Sequence, residues 1–311
     1  MIALYVFGKG FSLMSQFSDA LFIGGSGRSG TTIAGKLLSR HQEVILAKPI
    51  EIKFLTSGNG LLDLYLNPRI SRSGKVRVGP NANLKRFIKS ADEKWWLRKG
   101  KKSGVTGLST GIERAKWDAL IANLQAEIDE NRFQACQNFF RGYLDIQKSA
   151  ATSHLWVDTT PPNLMRANEI AQLLPGARFL HMIRDGRDVA SSVVKEPWGP
   201  SEHFEALDWW KERMLLILNA TRDMESSVHH LWMEDLVEND REASLEKLLN
   251  FLNLGPDSKM FDYFRETINP SSAHTGRWRQ EVKRASEFDS KYQKILEGLI
   301  KEGLKLPTKQ T

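Results

Sequence analysis

The chain has 311 residues, 41% of them hydrophobic, with a net charge of +7. That is enough apolar material for one large or two small cores. Its single cysteine, Cys136, excludes a disulfide framework and a cysteine metal cluster, and it suits a reducing compartment.

The N-terminal run "MIALYVFGKGFSLM" is too short to span a bilayer and lacks a basic leader. The expectation is a soluble, cytoplasmic protein, with Met14 as an alternative start. "ALFIGG" (20–25) reads as a buried strand, and "TIAGKLLSRH" (32–41) as the helix after it, with Ile33, Leu37 and Leu38 on one face. "EVILA" (43–47) is a second strand. Residues 56–112 are rich in Gly, Asn, Ser, Lys and Arg and read as an insertion or mobile loop. Within that region, residues 67–105 carry a net charge of +10 and the rest of the chain −3. This local field favours an anionic partner unless it is only a solvated surface. Residues 113–148 read as one or two helices. After them come a strand at 154–158, a helix from about Pro162 to Leu174, a strand at 177–183 and a helix opening at 188–194. An amphipathic helix at 206–220, a strand at 229–233, a helix at 243–255 and a charged C-terminal helix complete the chain. Strand and helix alternate, so the expected class is α/β, a parallel sheet flanked by helices. The organisation is one domain over 1–311 with an acceptor-side insertion at about 56–150. Ligands of such sheets bind beyond the carboxyl ends of the strands.

The first strand runs into "GSGRSGTT". Gly25, Gly30 and Thr32 fall on the phosphate-binding pattern G-x-x-x-x-G-K-[ST], but Thr31 occupies the lysine slot. A glycine-rich turn at a helix start turns backbone N–H groups on an anion, and the helix dipole adds about half a positive charge. Ser26, Gly27, Arg28, Ser29, Gly30, Thr31 and Thr32 are therefore candidate anion-binding residues, with Arg28 as the cation. Without the lysine the loop does not suit a metal-chelated triphosphate. No H-x-x-x-H spacing or carboxylate cluster suggests a metal, and none is expected. A second anion site follows the strand at 177–183. In "RDGRDVASS", Arg184 ends the strand, Asp188 can cap a helix, and Ser192 lies one turn beyond Asp188.

A strand, an R-S-G-T-T loop and a downstream R-D-x-R-D-V-x-x-S resemble the sulfotransferases that use 3′-phosphoadenosine 5′-phosphosulfate (PAPS). "WVDTTPPNLMRANEIAQLLPGARFLHMIRDGRDVASSV" resembles the central block of the bacterial members. "LWMEDLV" and "TGRWR" resemble later elements. The likeness covers about 20–55 and 154–280. It implies a P-loop-like sulfotransferase fold and metal-free, in-line transfer of a sulfuryl group to a hydroxyl acceptor. It also implies that the loop cradles the 5′-phosphosulfate and that Arg28 stabilises the leaving group. Arg184 and Ser192 would then read the 3′-phosphate, leaving 3′-phosphoadenosine 5′-phosphate (PAP) as product. The tyrosylprotein and carbohydrate branches place a glutamate base after the second strand, which points to Glu51, with Lys53 beside it. Trp278 and Arg279 have two open placements, closing over the nucleotide or, for Trp278, packing the core. Thr159 stands where relatives often carry lysine, and Asp158 is expected to be structural. The hydroxyl-bearing acceptor stays open among sugar, lipid head group, small metabolite and tyrosine, an anionic acceptor included, and no nucleic-acid partner is expected. Two other readings compete: a nucleotide kinase or NTPase with a degenerate loop, and a polyanion binder in which Trp95 and Trp96 stack on bases.

Overall fold

The computed structural model describes residues 19–67, 76, 79, 81–99, 104–148 and 155–308. The N-terminal run with Met14 and much of the basic stretch 67–105 lie outside these residues. Five strands form one parallel sheet: β1 (Ala20–Gly24), β2 (Val44–Leu46), β5 (Leu155–Asp158), β6 (Arg178–Ile183) and β7 (Val228–Trp232), in the order β2-β5-β1-β6-β7. β1 lies at the centre, with Leu21 opposite Val157 on one side and Ile23 opposite Leu180 on the other.

Successive side chains of β1 point to opposite faces, and both faces are covered. Phe22 packs with Trp156, Phe179 and Phe140 on one face. Leu21 and Ile23 join the other core. That second core is completed by helices α1 (Thr31–Leu38), α9 (Arg241–Leu252) and α10 (Ser258–Thr267). A parallel sheet buried on both sides explains why its strands read as continuous apolar runs. A third core joins α7 (Gly186–Val193), α8 (His203–Thr221), α12 (Trp278–Glu281) and α13 (Ala285–Lys301). The short α11 (Pro270–Ala273) lies between α10 and α12.

Residues 56–112 depart from the loop expectation. Their described part holds α2 (Leu61–Leu66), α3 (Ala82–Ser90), a π-helical turn (Ala91–Trp96) and a hairpin of β3 (Arg98–Lys99) and β4 (Val105–Thr106). Next come α4 (Arg114–Glu127) and α5 (Arg132–Lys148), the two helices expected over 113–148, while α6 (Ala167–Leu173) follows β5. Leu84, Phe87 and Trp95 sink into the aromatic core around Phe54, Trp117, Phe139 and Tyr143. Burial of these large rings outweighs the charge of the intervening lysines and arginines. Trp95 is buried and Trp96 packs against Trp117 with Arg114 over its ring, so neither is presented for stacking on bases. Among the described residues no helix is long and apolar enough to cross a membrane.

Candidate active site

The carboxyl ends of the strands open into a cavity of about 690 Å³. The β1–α1 loop forms its floor. Gly30 has φ of +92°, a conformation that residues with a Cβ rarely adopt, and a Cβ there would also displace the Met233 methyl group. Arg28 is also left-handed, at φ of +59°, an uncommon state for a residue with a Cβ. Ser26, Gly27, Arg28, Gly30, Thr31 and Thr32 line the cavity. Ser29 turns under the loop, where its buried hydroxyl has no partner, leaving only its main chain for a ligand.

The two anion motifs meet although they lie far apart in sequence. Arg28 Nε donates to Ser192 Oγ at 2.9 Å, and a second nitrogen of Arg28 lies 3.5 Å from Glu196. Arg184 donates to the carbonyls of Arg28 and His274, each at 3.1 Å. Arg184 therefore braces the loop as well as facing the cavity. The capping expectation shifts by three residues. Asp185 caps α7, accepting from Arg187 N at 2.8 Å, while Asp188 accepts from the backbone of Gly276 and Trp278. Asp188 thereby ties the "TGRWR" turn to the Arg184 motif. Glu234, from the "LWMEDLV" strand end, accepts from Asp185 N at 3.0 Å, and burial pushes its carboxyl up to about 8.

Trp278 is buried in the third core, and the Arg187 guanidinium lies between its ring and that of Tyr292, at 4.6 and 4.4 Å. Of the two placements open from sequence, the ring takes the core. Arg279 lies over the same ring and is not among the residues lining the cavity.

Glu51 and Lys53 line the cavity as a pair, 2.8 Å apart. Their loop is fastened to the end of β5. Buried Asp158 accepts from Ile52 N, from the Thr160 hydroxyl and from the Asn163 amide. Burial outweighs these hydrogen bonds and leaves the Asp158 carboxyl pushed up to about 6. Thr159 holds the Ile50 carbonyl through its N–H and its hydroxyl, at 2.9 and 2.7 Å. Asp158 and Thr159 thus act by positioning the Glu51 loop. His41 is buried against the Gly255 carbonyl and is not a cavity residue.

Sequence reasoning missed part of the wall. Ser272 and His274 sit beside Arg184, and Arg98 from β3 reaches the cavity from the basic segment. Trp198 comes from the connection between α7 and α8, and Trp209 and Arg213 from α8 itself. The spacing of Trp209 and Arg213, one turn apart beside the buried stripe of Trp210 and Met214, was the available signal. Among the described residues no group of three or more His, Cys, Asp or Glu is placed to hold a metal ion.

A profile of the sulfotransferase family matches residues 20–257. No curated protein matches the chain significantly. Among solved structures, the fold is similar to the sulfotransferase domain of the olefin synthase of Synechococcus PCC 7002. Identity is 15% and the TM-score 0.53, over 93% of this chain and 95% of that one. It is also similar to the sulfotransferase domain from the curacin biosynthetic pathway, at 18% identity and a TM-score of 0.54, over 92% and 98%. At these identities the structures speak to the fold alone. The profile spans most of the chain and takes in both motifs that converge on the cavity, so the chain belongs to the sulfotransferase family, enzymes that move a sulfuryl group.

Proposed function

We propose that this chain is a single-domain, cytoplasmic sulfotransferase that takes its sulfuryl group from PAPS and passes it in line to a hydroxyl acceptor without a metal. The observation that carries this reading is the junction of Arg28 with Ser192 and of Arg184 with the Arg28 carbonyl. It joins a loop suited to a 5′-phosphosulfate to a motif suited to a 3′-phosphate. The loop backbone, Arg28 and the Thr31 and Thr32 hydroxyls hold the 5′ end. Arg184 and Ser192 hold the 3′-phosphate. Arg279 keeps a supporting role through Trp278, whose ring backs Arg187 in the same motif. Glu51 takes the acceptor proton as the new S–O bond forms. Arg28 meets the charge that develops on the bridging oxygen as the old bond breaks. A kinase reading has no feature in its favour, because Thr31 stands where a γ-phosphate lysine is needed.

Calorimetry with PAP and AMP tests the donor. A hydrogen bond to a charged group contributes about 1.5–3 kcal/mol, so PAP is expected to bind roughly ten- to a hundredfold more tightly. Equal affinity would overturn the reading. Ser192→Ala should shrink the preference while leaving Arg184's carbonyl contacts in place. Arg184→Ala should remove it and weaken both nucleotides, since the loop loses its brace. A second test is metal dependence. Transfer is expected to continue undiminished in EDTA, and activity lost there and restored by Mg²⁺ would favour the kinase chemistry instead.

A further inference from the structure

The cations nearest the loop and Glu51 have partners. Arg28 meets Ser192 and Glu196, Arg184 meets two carbonyls, and Lys53 meets Glu51. Arg213 differs. Its guanidinium carbon lies 4.1 Å from the centre of the Trp209 ring, and among the described residues its one hydrogen-bond contact is with the Met165 sulfur, a weak acceptor, at 3.5 Å. Its Nε is buried with no partner, and no carboxylate lies within ion-pair distance among the described residues. Burial lowers this guanidinium from its ordinary value. The neighbouring Glu212 offsets this only in part and forms no direct ion pair, and a half-buried charge without a direct partner is costly unless something supplies one.

The surroundings describe what that something is. Trp198 is 54% exposed, an unusual state for so large a ring, and it stands 6.0 Å from Trp209. The two rings reach the loop itself, since a Cβ at Gly27 would lie 3.6 Å from Trp209 and 3.8 Å from Trp198. Met165 belongs to the turn that follows β5, the strand end that fastens the Glu51 loop. Arg213 therefore borders the turn after β5 within the cavity that Glu51 also lines, and on the sulfotransferase reading the donor's two anionic ends are already matched by Arg28 and Arg184.

We propose that Arg213, with Trp198 and Trp209, forms an acceptor subsite for an alcohol or phenol that carries its own anionic group, in the simplest case a carboxylate, on a flat or apolar body. This rests on the sulfotransferase reading of the cavity. The guanidinium fork takes the carboxylate in two parallel hydrogen bonds, and the tryptophans cover the body between that anchor and the reacting hydroxyl.

The test is calorimetry on the full chain loaded with PAP, using 3-(4-hydroxyphenyl)propionate and its uncharged amide as probes. The carboxylate is expected to bind roughly ten- to a hundredfold more tightly than the amide. Arg213→Gln should abolish that difference while PAP affinity stays at the wild-type value, which also reports a folded cavity. Arg213→Lys should retain part of the preference. Equal binding of the two probes by the wild type would overturn the proposal, and so would a preference that survives Arg213→Gln. A drop in PAP affinity with the preference intact would overturn it too, by assigning Arg213 to the donor. If the wild type fails to bind PAP at all, the donor reading itself has failed, and that outcome is read before either probe is added.

Discussion

Glu51→Gln is expected to leave PAP affinity unchanged and to lower kcat by roughly 10²–10⁴-fold, the usual range for a general base. The substitution keeps the shape of the side chain and removes its capacity to accept a proton. Glu51 reaches the cavity from the β2 side, whereas the nucleotide contacts come from the β1 and β6 strand ends, so donor binding has no reason to change. Lys53, 2.8 Å away, stays in place and keeps the local charge positive. Steady-state transfer from labelled PAPS, paired with PAP calorimetry, separates the two quantities. Full activity in the variant would reject Glu51 as the base. The next candidate would then be His274, which lines the cavity, and not His41, which is spent on the Gly255 carbonyl.

Arg28→Ala is expected to slow transfer by roughly 10²–10³-fold, the usual cost of removing one transition-state donor. Unlike the Glu51 change it should also weaken PAP, because the guanidinium holds Ser192 as well as facing the loop. The left-handed backbone at Arg28 complicates a simple reading. A residue with a Cβ pays about 1–2 kcal/mol in that conformation, and Ala keeps the strain that Arg has. Arg28→Gly relieves it. Equal rate losses in the two variants would assign the effect to the guanidinium. A glycine variant close to wild-type rate would assign it to loop conformation and reject the charge-stabilising role.

The sheet was legible because each strand is a short apolar run beside turn-forming residues. β1 and β6 fall within a residue or so of their expected bounds. The anion motifs were legible because their residue types have few other uses at that spacing. Their junction was not, since nothing local says that Arg28 will reach Ser192. The helices of the insertion were hidden by charge. In α3, Leu84 and Phe87 are spaced for one buried face, but Lys85, Arg86 and Lys89 fill the gaps, and the segment reads as solvated. α10 was missed in the same way, with Met260 and Phe264 as its only buried side chains. Trp278 shows a different limit. An aromatic next to an arginine suggests a lid over a nucleotide, and only the position of Arg187 reveals that the ring is a backing plate.

The fastening of the Glu51 loop to Asp158 and Thr159 separates two jobs that a single loop could have combined. The candidate base hangs from the end of β5 through the backbone of Ile50 and Ile52, and the same loop is held at Lys48 by Gln147 and Tyr143 from α5. Arg98 is the one described side chain of that region at the cavity, and the tryptophan wall comes from Trp209 on α8 and Trp198 just before it. Substrate range can therefore drift by substitutions in α8 and the basic segment while proton removal stays in register with the sulfur. Recombining this chain with a relative over a block that ends before α5 should accordingly exchange acceptors and preserve the catalytic step, because the Asp158, Thr159 and Gln147 contacts to the Glu51 loop all stay in place.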